Sequence, residues 1–121
     1  MSSVLHGLNN FILYTMKALR ASNLYGKKVL FQDREYYFDV GYYGGGAPSI
    51  ELVDESEGYP EVYARVTVNI PETKLEDDEV LIKSWSENEP IAEELRNSKF
   101  FRDTGKRIPT GYCEAEIWKV N

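Results

Sequence analysis

From residue 61 to residue 70, apolar and polar side chains alternate without a break. Val62, Ala64, Val66, Val68 and Ile70 fall on one side, and Tyr63, Arg65, Thr67 and Asn69 on the other. A period of two is the signature of a strand with one face on a core and one toward water. Because a one-residue slip would expose every apolar side chain, the pattern also predicts facing: Val62, Ala64, Val66 and Val68 turn toward the helices.

Further strand signals precede it. Residues 28–32 and 35–43 flank Asp33-Arg34, a short hairpin connection, and the cluster Gly44-Gly45-Gly46-Ala47-Pro48 leads into a strand over 49–54. Four sequential strands with short connections predict an antiparallel meander. Val80, Leu81 and Ile82 suggest another strand, and Tyr112 to Val120 a closing one.

Helical signals flank the strands. After Ser2 or Ser3 as a cap, Leu5, Leu8, Ile12, Met16 and Leu19 recur at three- and four-residue spacing, predicting a helix to about Ala21. Ser86-x-x-Glu89 has capping-box spacing, although Pro90 moves the cap toward Asn88 or Glu89. The helix that follows, about 90–98, carries Ile91 and Leu95 on one face. Asp103-Thr104-Gly105 and Pro109-Thr110-Gly111 suit turns. The expected fold is α+β: an antiparallel meander of about four to six strands, an N-terminal helix and a short second helix. One domain spans 1–121, with 1–25 as a helical extension.

Apolar residues at 42% and charged residues at 28% suit a folded domain rather than a disordered chain. Cys113 is the one cysteine and has no internal partner, which points to a reducing compartment. Met1 to Asn10 lacks the pattern of a secretory leader, and no apolar run approaches the roughly 20 residues that cross a bilayer. A cytoplasmic protein is expected.

Charge is unevenly distributed. Residues 51–94 hold fourteen acids against the three bases Arg65, Lys74 and Lys83, while the rest of the chain is net basic. Such an acidic half disfavours phosphate backbones, whose binding rests on Lys and Arg, and favours a basic protein surface.

The familiar catalytic constellations are missing from the sequence. Zinc sites draw on several Cys or His side chains, and only Cys113 and His6 are present. A Ser-His-Asp or Cys-His arrangement would have to use His6, at the start of the first helix. Glu76-Asp77-Asp78-Glu79 lacks the alternating spacing of a calcium loop and reads as a solvated connection. Gly44-Gly45-Gly46 stands between strands rather than before a helix, so it suits a hairpin tip better than a phosphate cradle. The tyrosines Tyr36, Tyr37, Tyr42 and Tyr43 lack the positive groove that a base-stacking platform needs. Alternation places Tyr36, Phe38, Val40 and Tyr42 toward the core, leaving Tyr37 and Tyr43 on the other face, a composition suited to protein contact. The bases Arg96, Lys99, Arg102, Lys106 and Arg107 are expected to meet the chain's own acids or water.

Two segments carry a resemblance. One runs from Val66-Thr67-Val68-Asn69-Ile70-Pro71-Glu72 through Leu75-Glu76-Asp77-Asp78-Glu79-Val80-Leu81-Ile82-Lys83-Ser84-Trp85-Ser86-Glu87-Asn88-Glu89, and the other is Asp103-Thr104-Gly105-Lys106-Arg107-Ile108-Pro109-Thr110-Gly111-Tyr112. With Ile50-Glu51-Leu52-Val53-Asp54, they resemble a family of small uncharacterised domains carried on plasmids, phages and integrative elements of Firmicutes, over about 28–117. The resemblance implies a genomic setting and no activity.

The resulting expectation is a non-enzymatic, acidic accessory protein of a mobile element. It uses no cofactor, metal, membrane or direct nucleic-acid contact, and it binds a basic protein partner. Inhibition of a DNA-binding host defence enzyme is its sharpest form. Partner contacts are expected at Glu72, Glu76, Asp77, Asp78, Glu87, Glu89, Tyr37 and Tyr43. The alternative is a structural, self-associating protein with the N-terminal helix as its dimer seam.

Overall fold

The computed structural model describes residues 20–121. The apolar stripe from Leu5 to Leu19, and His6, lie outside them. Residues 20–22 are helical, and Ala21 and Leu24 are buried just before the first strand.

Strands β1 (Lys28–Phe31) and β2 (Arg34–Tyr42) form a two-residue hairpin. Its central residues are Gln32 and Asp33, at φ 50° and 64°. Positive φ at both positions matches the right-handed strand twist and places the connection one residue earlier than Asp33-Arg34. Strands β3 (Pro48–Asp54) and β4 (Glu61–Arg65) complete an antiparallel sheet in the order β1-β2-β3-β4, the expected meander.

β4 departs from the sequence reading. The strand ends at Arg65, and a bulge interrupts it: Ala64 lies opposite Leu52 and Val62 opposite Val53, leaving Tyr63 as the extra residue. An extra residue breaks the period of two. Val62 therefore moves to the outer face, where it is 55% exposed, while Tyr63 stacks on Tyr36 at 4.5 Å. Val62 does not face the core.

Beyond Arg65 the chain changes sheets. The Val66 amide donates to the Ile50 carbonyl at 2.8 Å, and the Val66 carbonyl accepts from the Lys83 amide at 2.8 Å. Thr67 bridges Ile82, and the Val68 amide donates to the Leu81 carbonyl at 3.1 Å. Residues 66–68 thus run between β3 and β5 (Glu79–Ile82) and join the two sheets edge to edge. Thr67, expected in water, is buried because its hydroxyl accepts from the Ile50 amide at 3.0 Å.

The second sheet, in the order β5-β7-β6, adds β6 (Phe101–Thr110) and β7 (Cys113–Val120). β6 is a strand where the sequence suggested two turns. Gly105 and Pro109 disguise it, since Pro is tolerated at a sheet edge and Gly at a bulge. Between the pairs Asp103–Trp118 and Arg107–Glu116, three residues of β6 oppose Ile117 alone, and the Thr104 hydroxyl donates to the Ile117 carbonyl at 2.6 Å. The β6–β7 turn is Gly111-Tyr112.

Residues 86–88 form a 3₁₀ turn that leads into α1 (Glu89–Arg96), whose start falls after Asn88 as Pro90 suggested, although the Asn88 side chain makes no capping bond. The Asn88 side chain donates to the Arg65 carbonyl at 2.6 Å and the Lys83 carbonyl at 3.2 Å, filling the corner where β4 and β5 diverge.

The main core gathers Phe38, Ile50 and Leu52 from the first sheet, Val80, Ile82, Phe101, Trp118 and Val120 from the second, and Ile91 and Leu95 from α1. A smaller core of Ile70, Leu81, Ala115 and Ile117, with half-buried Trp85 against it, covers the other face of the second sheet. β5 is consequently buried on both faces, which explains its continuous apolar run.

Candidate partner-binding surface

Two non-strand segments enclose the larger cleft. One is the glycine tip of the β2–β3 hairpin, closed by Tyr43 amide to Ala47 carbonyl and Gly46 amide to Tyr43 carbonyl bonds, each 2.8 Å. Gly46, at φ 95°, adopts a conformation that L side chains resist. The other segment is the connection from Ile70 to Glu79. Between them lies a cavity of about 560 Å³, lined by Tyr42, Tyr43, Pro71, Leu75, Glu76 and Asp77 among others.

The connection is anchored through Glu79, a buried carboxylate. Its oxygens accept from the Glu76 amide at 2.9 Å and pair with Lys106 Nζ at 2.6 Å. Burial pushes this carboxyl upward, but Lys106 and the Glu76 amide outweigh that effect and hold it below the usual range. Asp78 is half-buried, 3.8 Å from Lys119, and its carbonyl accepts from the Val120 amide. Glu79 and Asp78 therefore hold the connection in place, while Glu76 and Asp77 are exposed on it.

Of the eight expected contact residues, the structure brings Tyr43, Glu76 and Asp77 to one cleft. The Tyr43 hydroxyl lies 3.3 Å from Thr67 Oγ1. Glu72 is exposed in the turn just before the cleft's acidic wall. Glu87 sits elsewhere, on a second cavity of about 410 Å³ with Val62, Tyr63 and Ile91, and pairs with Lys83 at 2.9 Å. Glu89 is exposed in the first turn of α1. Tyr37 is on the outer face of the first sheet, its hydroxyl donating to Glu55 at 3.3 Å.

The basic stretch is largely internal, as expected. Lys106 serves Glu79, Arg107 reaches both Asp103 oxygens at 2.9 Å or less, and Arg96 contacts both Glu116 oxygens at 2.8 and 2.9 Å. Glu116 also accepts from Trp118 Nε1 at 3.0 Å. Burial raises its carboxyl, and Arg96 and Trp118 more than reverse that rise. This Arg96–Glu116–Trp118 network escaped sequence reasoning, because Arg96 and Glu116 meet only when α1 packs beside β7.

Among the described residues, no helix is long and apolar enough to cross a membrane, and no cluster of three His, Cys, Asp or Glu side chains is arranged for a metal ion. No family model, curated protein or solved structure matches the chain.

Proposed function

We propose that this protein is a non-enzymatic binding module that presents an acidic surface to a basic protein partner. The observation that carries the reading is the cleft that joins Tyr43 to Glu76 and Asp77. Tyrosine supplies rigid contact area, and exposed carboxylates supply attraction and register. Pairing of Arg96, Lys106 and Arg107 with internal acids supports the reading, because those bases offset less of the outward acidic charge.

In its sharpest form, the protein is an accessory of a mobile element that occupies the DNA channel of a host defence enzyme, its carboxylates standing where phosphates would lie. The resemblance over 28–117 supplies that setting.

The test begins with capture of a partner from the native host by the tagged full-length chain. Association with the purified partner is then timed across salt concentrations. The rate should fall roughly tenfold from low to high salt, since exposed charges are screened over about 8 Å at 0.15 M. Glu76→Gln with Asp77→Asn should slow association and leave the melting temperature unchanged. Association indifferent to both salt and these substitutions would refute the acidic mechanism.

A further inference from the structure

Among the described residues, β4 is an edge strand whose outer side is covered over only part of its length. At Arg65 the outward carbonyl is taken by the Asn88 side chain, and from Val66 onward the chain pairs with β5. Over 61–64, no described element pairs with that outer side. The second cavity, of about 410 Å³, lies directly beside it, between β4 and the Lys83–Ile91 region.

The surface here differs from the other edges. β5 has its free side taken by residues 66–68. β6 is protected by Pro109, a bulge and the charges of Arg102, Lys106 and Arg107, the usual defences against stray pairing. β1 exposes Leu30 at 60%, but Lys27 and Lys28 guard its start. β4 instead carries Val62 at 55% and Tyr63 at 47% exposure, with Tyr59 at 57% in the hairpin before it. Glu55, Glu57 and Glu61 are all exposed around these residues, and no Lys or Arg occurs between Asp54 and Arg65. The nearby Arg34 is engaged by Asp54 at 2.9 Å.

Open strand backbone, exposed apolar side chains and an acidic hairpin coincide at this edge, and the two bases lining its cavity are already paired, Arg65 with Glu51 at 3.1 Å and Lys83 with Glu87 at 2.9 Å. We infer that this edge accepts an extended, basic segment of a protein partner as an added strand. Main-chain hydrogen bonds to 61–64 hold it, apolar side chains rest on Val62 and Tyr63, and lysines or arginines meet Glu57 and Glu61. The bulge at Tyr63 and the short open length restrict addition to a few residues, which disfavours continuous stacking of copies. This site is separate from the Tyr43–Glu76–Asp77 cleft.

The test uses the full chain and an octapeptide of alternating Lys and Val. Its titration should shift the backbone amide resonances of Glu61 to Ala64. The peptide N-methylated at every backbone amide keeps the charges and loses every main-chain N–H donor, and it should bind at least about tenfold more weakly. A Glu-Val octapeptide should also lose at least about tenfold, as should the Glu61→Lys/Val62→Lys protein. The Glu76→Gln/Asp77→Asn protein should bind the Lys-Val peptide unchanged, so the cleft and the edge are tested independently. Undiminished binding of the N-methylated or acidic peptide would overturn the proposal, as would absence of binding or loss through the cleft variant. Sedimentation showing a dimer abolished by Val62→Lys would assign the edge to a second copy and overturn it equally.

Discussion

Replacing Arg96 with Leu isolates a charge interaction in which both partners are largely shielded from water. The Glu116 side chain is 11% exposed, and both its oxygens accept from Arg96, which itself lies 5.6 Å from the Trp118 ring centre. Leu retains part of the apolar stem's packing, so the change chiefly strands a carboxylate. Removing one partner of a buried pair costs about 3–5 kcal/mol. Contacts to Trp118 Nε1 at 3.0 Å, Arg107 Nη2 at 3.5 Å and the Ser84 side chain remain, which places the expected loss at the lower end, about 3 kcal/mol. For a domain of this size that corresponds to a fall of roughly 10–15 °C in melting temperature. Chemical denaturation at pH 7 measures it directly. Adding Glu116→Gln removes the stranded charge while keeping an acceptor for Trp118, and should recover at least about half of the loss. The pH response separates the cases further. In the native chain Glu116 is held below its unfolded value, so its contribution is complete above about pH 4.3 and is lost as pH falls through the lower folded value. In Arg96→Leu that carboxyl rises, and the deficit should shrink on acidification. If Arg96→Leu/Glu116→Gln is as unstable as Arg96→Leu alone, stranded charge is not the cause.

Other outcomes test the packing and the remaining electrostatics. Val62→Lys should alter stability by less than about 0.5 kcal/mol, as at other exposed positions, whereas Val66→Ala should cost about 2 kcal/mol; equal costs in urea denaturation would contradict the bulge. Trp118→Ala should cost about 3–5 kcal/mol and Trp85→Ala roughly half that, because Trp118 is fully buried and Trp85 only partly. Glu79 is held low by Lys106, so Lys106→Met should reduce stability near neutral pH and leave a smaller difference below about pH 4. A deficit that persists unchanged in acid would show that Lys106 acts through packing.

Of the eight contact residues read from the sequence, three share a cleft. The reason is that a run of acids has no intrinsic facing. Glu76, Asp77, Asp78 and Glu79 are consecutive, yet Glu79 turns inward to Lys106 and Asp78 approaches Lys119, two bases from other strands. The open edge at β4 could not be read either, since what lies beside a strand is set by segments distant in sequence.

Local chemistry determined the strand order of the first sheet, the facing of Tyr36 and Phe38, the start of α1 before Pro90 and its inward stripe. Each depends on residues within a few positions of one another, where periodicity and turn geometry act directly. Tertiary structure decided the rest: the bulge that turned Val62 outward, the passage of residues 66–68 between the sheets, and the strand identity of β6 despite Gly105 and Pro109. For the passage and for β6 the deciding bonds come from distant segments, Ile50 and Lys83 at Val66 and Ile117 at Thr104, and the Arg96–Glu116 pair is decided in the same way. Buried backbone and charged groups must find partners wherever the fold supplies them, and such partners leave no periodic trace in the chain.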